Sequence, residues 1–375
     1  MNFGKVDALL DNLAASTLRI CGLSVALDGK VVHEHYAGFS DPDKKVPACG
    51  DEPYWIYSAT KVMTCVAAMR LVEEGKISLD DPVSKYFPEY ENQIVRDPKT
   101  KETRPAEGPM KVIHLFTMTG GMSYDKESPE ILAAAAQPGA GTLEIVRAAG
   151  KTPLLFDPGT RYKYSLCHDV LAGIVELVSG MKFSEYLQKY IFGPLGMNDT
   201  TLHPDEKTID RMPEQYRFRL GDGSSKPVGK GNSFCITPDY ESGGAACCST
   251  VRDYQKLVAA LSVGGTVRGY SLLKPETIAM MEVNRLCDAA LNDFVAGRLY
   301  GYGWGLCGRV HMNKNYSLSR SSEGEFGWDG AAGAFALVDR KNRVGYYFGT
   351  HMLGCNYLYN WAHPLLRNMI YEALD

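Results

Sequence analysis

The sequence predicts an α+β fold: one antiparallel sheet built from both chain ends and flanked by helices, with a mostly helical lobe inserted between them. Three observations predict it. Strand-like apolar runs gather near the start, at residues 21–27 and 31–39, and near the end, at 300–306, 334–338 and 344–350. Between them helical periodicity dominates, at 129–136, 142–149, 170–179 and 183–192. Amphipathic helices are predicted at both termini. A length of 375 residues is long for one core. The expected division is a sheet domain from 1–76 with 240–375, and a helical lobe over 77–239.

Each element has a local reason. Val6, Leu9, Leu10 and Leu13 repeat at helical spacing with Lys5, Asp7, Asp11 and Asn12 between them. Asp28-Gly29 is a two-residue hairpin signal joining the first two strands. Val62, Cys65, Val66, Met69 and Val72 mark a helix over 59–74 that Gly75 closes. Residues 97–110 read as a polar, proline-bearing insertion. Ser249 or Thr250 caps a helix over 250–263, ended by Gly264-Gly265. Residues 357–374 read as a last helix, with Pro364 as a kink.

Composition excludes several function classes. Hydrophobic residues make up 45% and charged residues 22%, ordinary for a globular protein. A net charge of −4 and a pI near 6.1 leave no electrostatic footprint for nucleic acid or an anionic membrane. No apolar run approaches a membrane span. The first helix is amphipathic rather than a secretory core, and ten cysteines without a Cys-x-x-Cys pair fit a reducing compartment, so the expected location is cytoplasmic. No His/Cys cluster has metal-ligand spacing, and neither a metal nor an organic cofactor is expected.

The most informative stretch is Ser58-Ala59-Thr60-Lys61. Residues three apart share a helix face, so a hydroxyl and an amine stand together. A serine at a helix start feels the positive helix end, and a buried lysine whose pKa desolvation lowers can take its proton. Ser-x-x-Lys also occurs at Ser123/Lys126, Ser179/Lys182 and Ser271/Lys274, but only Ser58 opens a long apolar helix. A cap serine with a solvated lysine is the competing reading. A second candidate is Tyr164, in Tyr162-Lys163-Tyr164-Ser165-Leu166, which can shuttle protons beside an ammonium; its rival is a core tyrosine. A third is Trp328-Asp329-Gly330-Ala331 before a strand, where the Ala331 N–H can join that of Ser58 as an oxyanion hole; its rival is a plain glycine turn. Asp80-Asp81 reads as a solvated turn, 222–231 as a flexible loop, and Asp169 as a helix-start acid. His168 is left open.

In this order the motifs resemble the serine β-lactamase and penicillin-binding-protein superfamily. The class C β-lactamase branch, and within it the family VIII carboxylesterases, is most similar. Leu79-Asp80-Asp81-Pro82-Val83, Gly193-Pro194-Leu195-Gly196-Met197 and Ser249-Thr250-Val251-Arg252-Asp253 read the same way. The resemblance implies that Ser58 is the acylated serine, Lys61 its activating partner and Tyr164 the tyrosine sharing proton transfer. Trp328 and Gly330 match the substrate-binding third motif, with Ala331 in its oxyanion position. Departures narrow the activity. Leu166 stands where Tyr-x-Asn is usual, and Trp328-Asp329-Gly330 replaces Lys-Thr-Gly. A cation for a substrate carboxylate is thereby lost and Asp329 adds a like charge, which favours neutral esters. The expected activity is hydrolysis of small carboxylic esters through a Ser58 acyl-enzyme. The alternatives are β-lactamase or D-amino-acid peptidase action, acyl transfer on the same site, and a non-catalytic scaffold. The Met118-Thr119-Gly120-Gly121 loop, where the family has a His-Thr-Ser-Gly type, has no sequence explanation.

Overall fold

A computed structural model describes residues 1–375 apart from 42, 44 and 298. Among the described residues, eight strands form the main sheet: β1 (Ile20–Leu27), β2 (Lys30–Asp41), β3 (Val46–Pro47), β4 (Tyr302–Trp304), β5 (Arg309–His311), β6 (Phe326–Gly327), β7 (Phe335–Asp339) and β8 (Val344–Thr350). Their order is β4-β5-β6-β7-β8-β1-β2-β3, every pairing antiparallel. The two chain ends meet at the β1–β8 ladder, from Cys21↔Thr350 to Leu27↔Val344. Asp28 and Gly29 turn the first hairpin with φ of 52° and 73°, as a two-residue turn of this twist demands. This is the predicted α+β arrangement.

Six helices position the rest: α1 (Gly4–Leu13), α2 (Thr60–Glu73), α3 (Val112–Phe116), α4 (Cys167–Ser179), α5 (Val251–Ser262) and α6 (His363–Leu374). Val6 and Leu10 of α1, with Leu366 and Ile370 of α6, pack on Leu23, Val25, Leu337 and Tyr346 on one sheet face. The other face carries α5. There Gly345 matters: a Cβ would lie 2.6 Å from the Val258 carbonyl oxygen, so glycine lets helix and sheet approach. Thr250 caps α5, its Oγ1 accepting from the Asp253 amide at 3.1 Å. Among the described residues, no helix is long and apolar enough to cross a membrane.

The structure adds to the sequence reading in three places. Helix α2 is buried from Thr60 to Met69 on every side, not along one stripe, because it runs through the core between sheet and helical region. Residues 97–110 are not wholly irregular, since Thr103–Pro105 pairs with Ile94–Arg96 as a hairpin. Pro364 lies in the first turn of α6, after a π-helical turn at Leu358–Ala362. Residues 356–374 are helical throughout, so Pro364 sits inside the run, and the wide turn ahead of it accommodates the backbone bond it cannot make.

Buried histidines set an acid limit. Burial pushes the pKa of His114 down to about 4 and those of His168, His351 and His363 down to about 3. Below the ordinary value of 6.5 the unfolded chain binds protons that the folded one refuses, so stability rises with pH across this window. The thermal midpoint should therefore fall steadily as pH drops from about 6.5 towards 4, each histidine contributing up to about 1.4 kcal/mol per pH unit. A flat midpoint over that range in a buffered melting series would contradict the burial of these four rings.

Candidate active site

The Ser58 turn is held from several directions. Tyr57–Ala59 forms one 3-10 turn ahead of α2. The Ile56 amide donates to the Cys247 carbonyl at 3.1 Å, Cys247 N–H to Thr60 Oγ1 at 3.1 Å, and Tyr254 of α5 to the Ala59 carbonyl at 2.8 Å. Tyr57 itself has φ of 47°, a left-handed conformation for a bulky residue and a strain of order 1–3 kcal/mol. Its hydroxyl donates to Gln215 Oε1 at 2.5 Å, and its ring meets Phe234 edge-on at 6.0 Å. The Ser58 side chain caps no helix, which disposes of the capping alternative.

Lys61 is fully buried rather than solvated. Its Nζ donates to the Gly244 carbonyl at 2.7 Å, to Ser58 Oγ at 3.4 Å and to the Tyr124 hydroxyl at 3.4 Å. It also lies 4.6 Å from the Tyr164 ring centroid. Burial alone lowers its pKa, but Tyr124, Tyr164 and Asp169 outweigh that, and the net shift is upward. The expectation of a depressed lysine is thus corrected: neighbouring oxygens hold Lys61 as a cation.

Tyr164 is brought in by a backbone brace. Lys163 N–H bonds the Met118 carbonyl at 3.0 Å, Gly159 N–H that of Thr119 at 2.8 Å, and Leu166 N–H that of Ser123 at 3.2 Å. This explains the 118–121 loop that sequence left unread. It braces the Tyr164 segment and delivers Tyr124, whose ring stacks on Tyr164 at 5.7 Å. Trp328 Nε1 donates to the Tyr164 hydroxyl at 2.9 Å. The third motif therefore touches the second directly.

Gly330 accounts for the third motif's approach to Ser58. A Cβ there would sit 2.2 Å from the Ile56 carbonyl oxygen, so only glycine lets this strand end lie against the serine turn. Tyr359 anchors it, donating to the Gly330 carbonyl at 2.7 Å. Among the described residues nothing accepts a hydrogen bond from the Ala331 amide. Ser58, Tyr164, Trp328, Gly330 and Ala331 all line one cavity of about 980 Å³. Gly330→Val should push the strand end from the serine turn and cut kcat at least roughly a hundredfold, the scale of losing one oxyanion donor. Near-normal kcat in that variant would separate Gly330 from the chemistry.

Other sequence candidates fall elsewhere. Asp329 is tied to Arg309 at 2.8 Å, so its charge is offset and not free to repel a substrate. His168 is a neutral core histidine, its Nε2 3.1 Å from the Phe116 carbonyl of α3. Asp81 caps Ser78 and pairs with Lys85, a surface turn as read. Ser123 and Lys126 do not meet: Lys126 Nζ donates to the Ser233 carbonyl. Sequence reasoning missed Tyr124 and the reach of Asp169. From the first turn of α4, Asp169 accepts from the Tyr240 hydroxyl at 2.7 Å and Ser242 Oγ at 2.5 Å. It thereby fixes the segment whose Gly244 carbonyl receives Lys61. Among the described residues no group of His, Cys, Asp or Glu side chains is arranged to hold a metal ion.

Comparison with known proteins agrees with this layout. A family model described as Beta-lactamase matches residues 6–361. Protein Rv1367c of Mycobacterium tuberculosis is 30% identical over 321 residues, covering 83% of this chain and 80% of its own. Esterase EstB of Burkholderia gladioli is 26% identical over 373 residues, covering 90% and 87%. The solved structure of EstCE1, titled a hydrolase with promiscuous acyltransferase activity, superposes with a TM-score of 0.80 at 21% identity, covering 98% and 97%. Because the family match takes in the sheet, the helical region and every motif around Ser58, the chain belongs to the β-lactamase family, within the serine β-lactamase and penicillin-binding-protein superfamily.

Proposed function

We propose that the protein is a serine carboxylesterase, akin to the family VIII carboxylesterases, that cleaves carboxylic esters through an acyl-enzyme on Ser58. One observation carries the reading: a buried Lys61 cation stands between Ser58 Oγ and two tyrosines at the wall of a substrate-sized cavity. Ser58 Oγ attacks the ester carbonyl while the Lys61–Tyr164 pair, acting together as the base, takes its proton. The Trp328 N–H donates to the Tyr164 oxygen at 2.9 Å and orients it. The Ser58 and Ala331 amides receive the tetrahedral oxyanion, each donor worth roughly 3–4 kcal/mol. Tyr164 returns the proton to the departing alcohol, and water repeats the sequence on the acyl-enzyme. The similarity to Esterase EstB supports ester cleavage. The third motif lacks the lysine that would hold a β-lactam or peptide carboxylate, which speaks against those substrates. Ten unpaired cysteines support a cytoplasmic location.

The test is intact-mass analysis after exposure to a panel of nitrophenyl esters and β-lactams. An acyl adduct mapped to Ser58 from esters is expected. No adduct from any ester, or from a fluorophosphonate, would return the chain to the scaffold alternative. Acyl transfer is a second reading, favoured by a cavity at the upper end of ligand-pocket sizes, large enough for an acyl group and an alcohol acceptor together. Ester products formed with added alcohol identify it.

A further inference from the structure

Among the described residues, the cavity walls carry one charge that the protein does not use. Three charged side chains among the described residues line it: Asp329, Arg367 and Arg217. Asp329 is engaged by Arg309 at 2.8 Å. Arg367 is buried and donates to the Tyr302 hydroxyl at 2.5 Å. Arg217 is exposed, and among the described residues its guanidinium has neither a hydrogen bond nor an ion pair. It is nonetheless firmly carried. It lies on the central strand (Tyr216–Phe218) of a small sheet between Met352–Leu353 and Ser225–Pro227, in register with Leu353, another cavity residue. The guanidinium also acts on Tyr57, whose hydroxyl burial pushes up to about 12 while Arg217 pulls it the other way. Tyr57 adjoins Ser58. A second cation, Lys126, stands behind the cavity residue Phe234, 4.3 Å from its ring centroid.

The geometry points to a substrate ester that carries a carboxylate, bound by the Arg217 guanidinium at a subsite separate from the Trp328-Gly330 motif. This rests on the esterase reading above and names its substrate class. The chemistry follows from three facts. A planar guanidinium with free donors matches a carboxylate bidentately. Among the described residues, the lining offers no uncommitted carboxylate of its own to compete. The chain as a whole carries −4, so an anionic substrate needs a local positive wall to enter. Apolar and aromatic neighbours, among them Phe234, Leu299, Tyr316 and Leu353, leave room for an extended apolar body between the carboxylate and the ester.

The experiment measures kcat/KM for two matched pairs of esters. In one pair the acyl chain ends in a carboxylate or in its uncharged methyl ester. In the other, the same choice is made on the alcohol part. The wild-type protein should prefer the acid over the neutral member by about tenfold in one pair, the scale of a charge-assisted pairing, and that pair tells which side of the ester faces Arg217. Raising salt should shrink the preference. Arg217→Gln should bring the ratio close to one, and Arg217→Lys should keep part of it. If neutral esters turn over but neither acid is preferred, or if Arg217→Gln keeps the full ratio, this subsite is wrong and the esterase reading stands. If no ester acylates Ser58, both fall together.

Discussion

Ser58→Ala should lower kcat by roughly 10³–10⁶, the range seen when a catalytic serine is removed, while leaving the fold intact. The structural argument for the second half is direct. Among the described residues, the one hydrogen bond to Ser58 Oγ is the 3.4 Å one from Lys61, and the side chain caps no helix. The turn around it is held by the backbone of Ile56, Ala59 and Cys247 and by Thr60 and Tyr254, none of which the substitution touches. The thermal midpoint should stay within about 1 °C of the wild type, less than 1 kcal/mol for a protein of this size. Far-ultraviolet dichroism and a melting curve, run beside single-turnover kinetics, check both halves. Normal turnover in the variant would remove Ser58 from the mechanism.

Lys61→Ala should cost both activity and stability, and the two losses should separate. The buried ammonium gives hydrogen bonds to the Gly244 carbonyl, Ser58 and Tyr124. Asp169, also buried, has Oδ2 without a partner, among the described residues, and leans on that positive charge. Deleting the cation removes the positive charge facing a buried carboxylate that keeps its hydrogen bonds from Tyr240 and Ser242, a loss of roughly 1–3 kcal/mol. Acylation should slow by about 10²–10⁴, the usual contribution of a positioned proton-transfer group. Adding Asp169→Asn should recover part of the stability, because the stranded charge is gone, and none of the acylation rate. An unchanged pre-steady-state burst in Lys61→Ala would take the lysine out of the chemistry. Failure of Asp169→Asn to restore any stability would show that the carboxylate does not depend on it.

The parts of this molecule that sequence reveals are those encoded within a few residues. The β1–β2 hairpin is announced by Asp28-Gly29, α5 by Thr250 and its glycine pair, and the Ser58–Lys61 proximity by a single helical turn. The Trp328 motif is readable because glycine next to a strand signals close approach, and Gly330 does lie against Ile56. What was hidden depends on distant chain segments. Tyr124 is one of 22 tyrosines and follows an unremarkable loop. Its importance arises only when the 118–123 backbone docks on the segment carrying Tyr164. Asp169 reads as a helix-start acid because nothing local tells of Tyr240 and Ser242 folding over it. The charge state of Lys61 was misjudged for the same reason: burial is visible in an apolar helix, but the oxygens that offset it come from three other stretches. The periodicity of α2 likewise marks a buried face without telling that the opposite face is covered too.

The pairing of β1 with β8 has a consequence during synthesis. These neighbours are more than three hundred residues apart, with Cys21 opposite Thr350. A nascent chain leaving the ribosome can close the first hairpin at once, yet one edge of β1 stays bare until residues 344–350 have emerged. An unpaired apolar edge is a template for other chains, and such long-range closure is slow. Premature termination ahead of residue 344 would abandon that edge permanently, so truncated products should accumulate as aggregates and not as a smaller working enzyme.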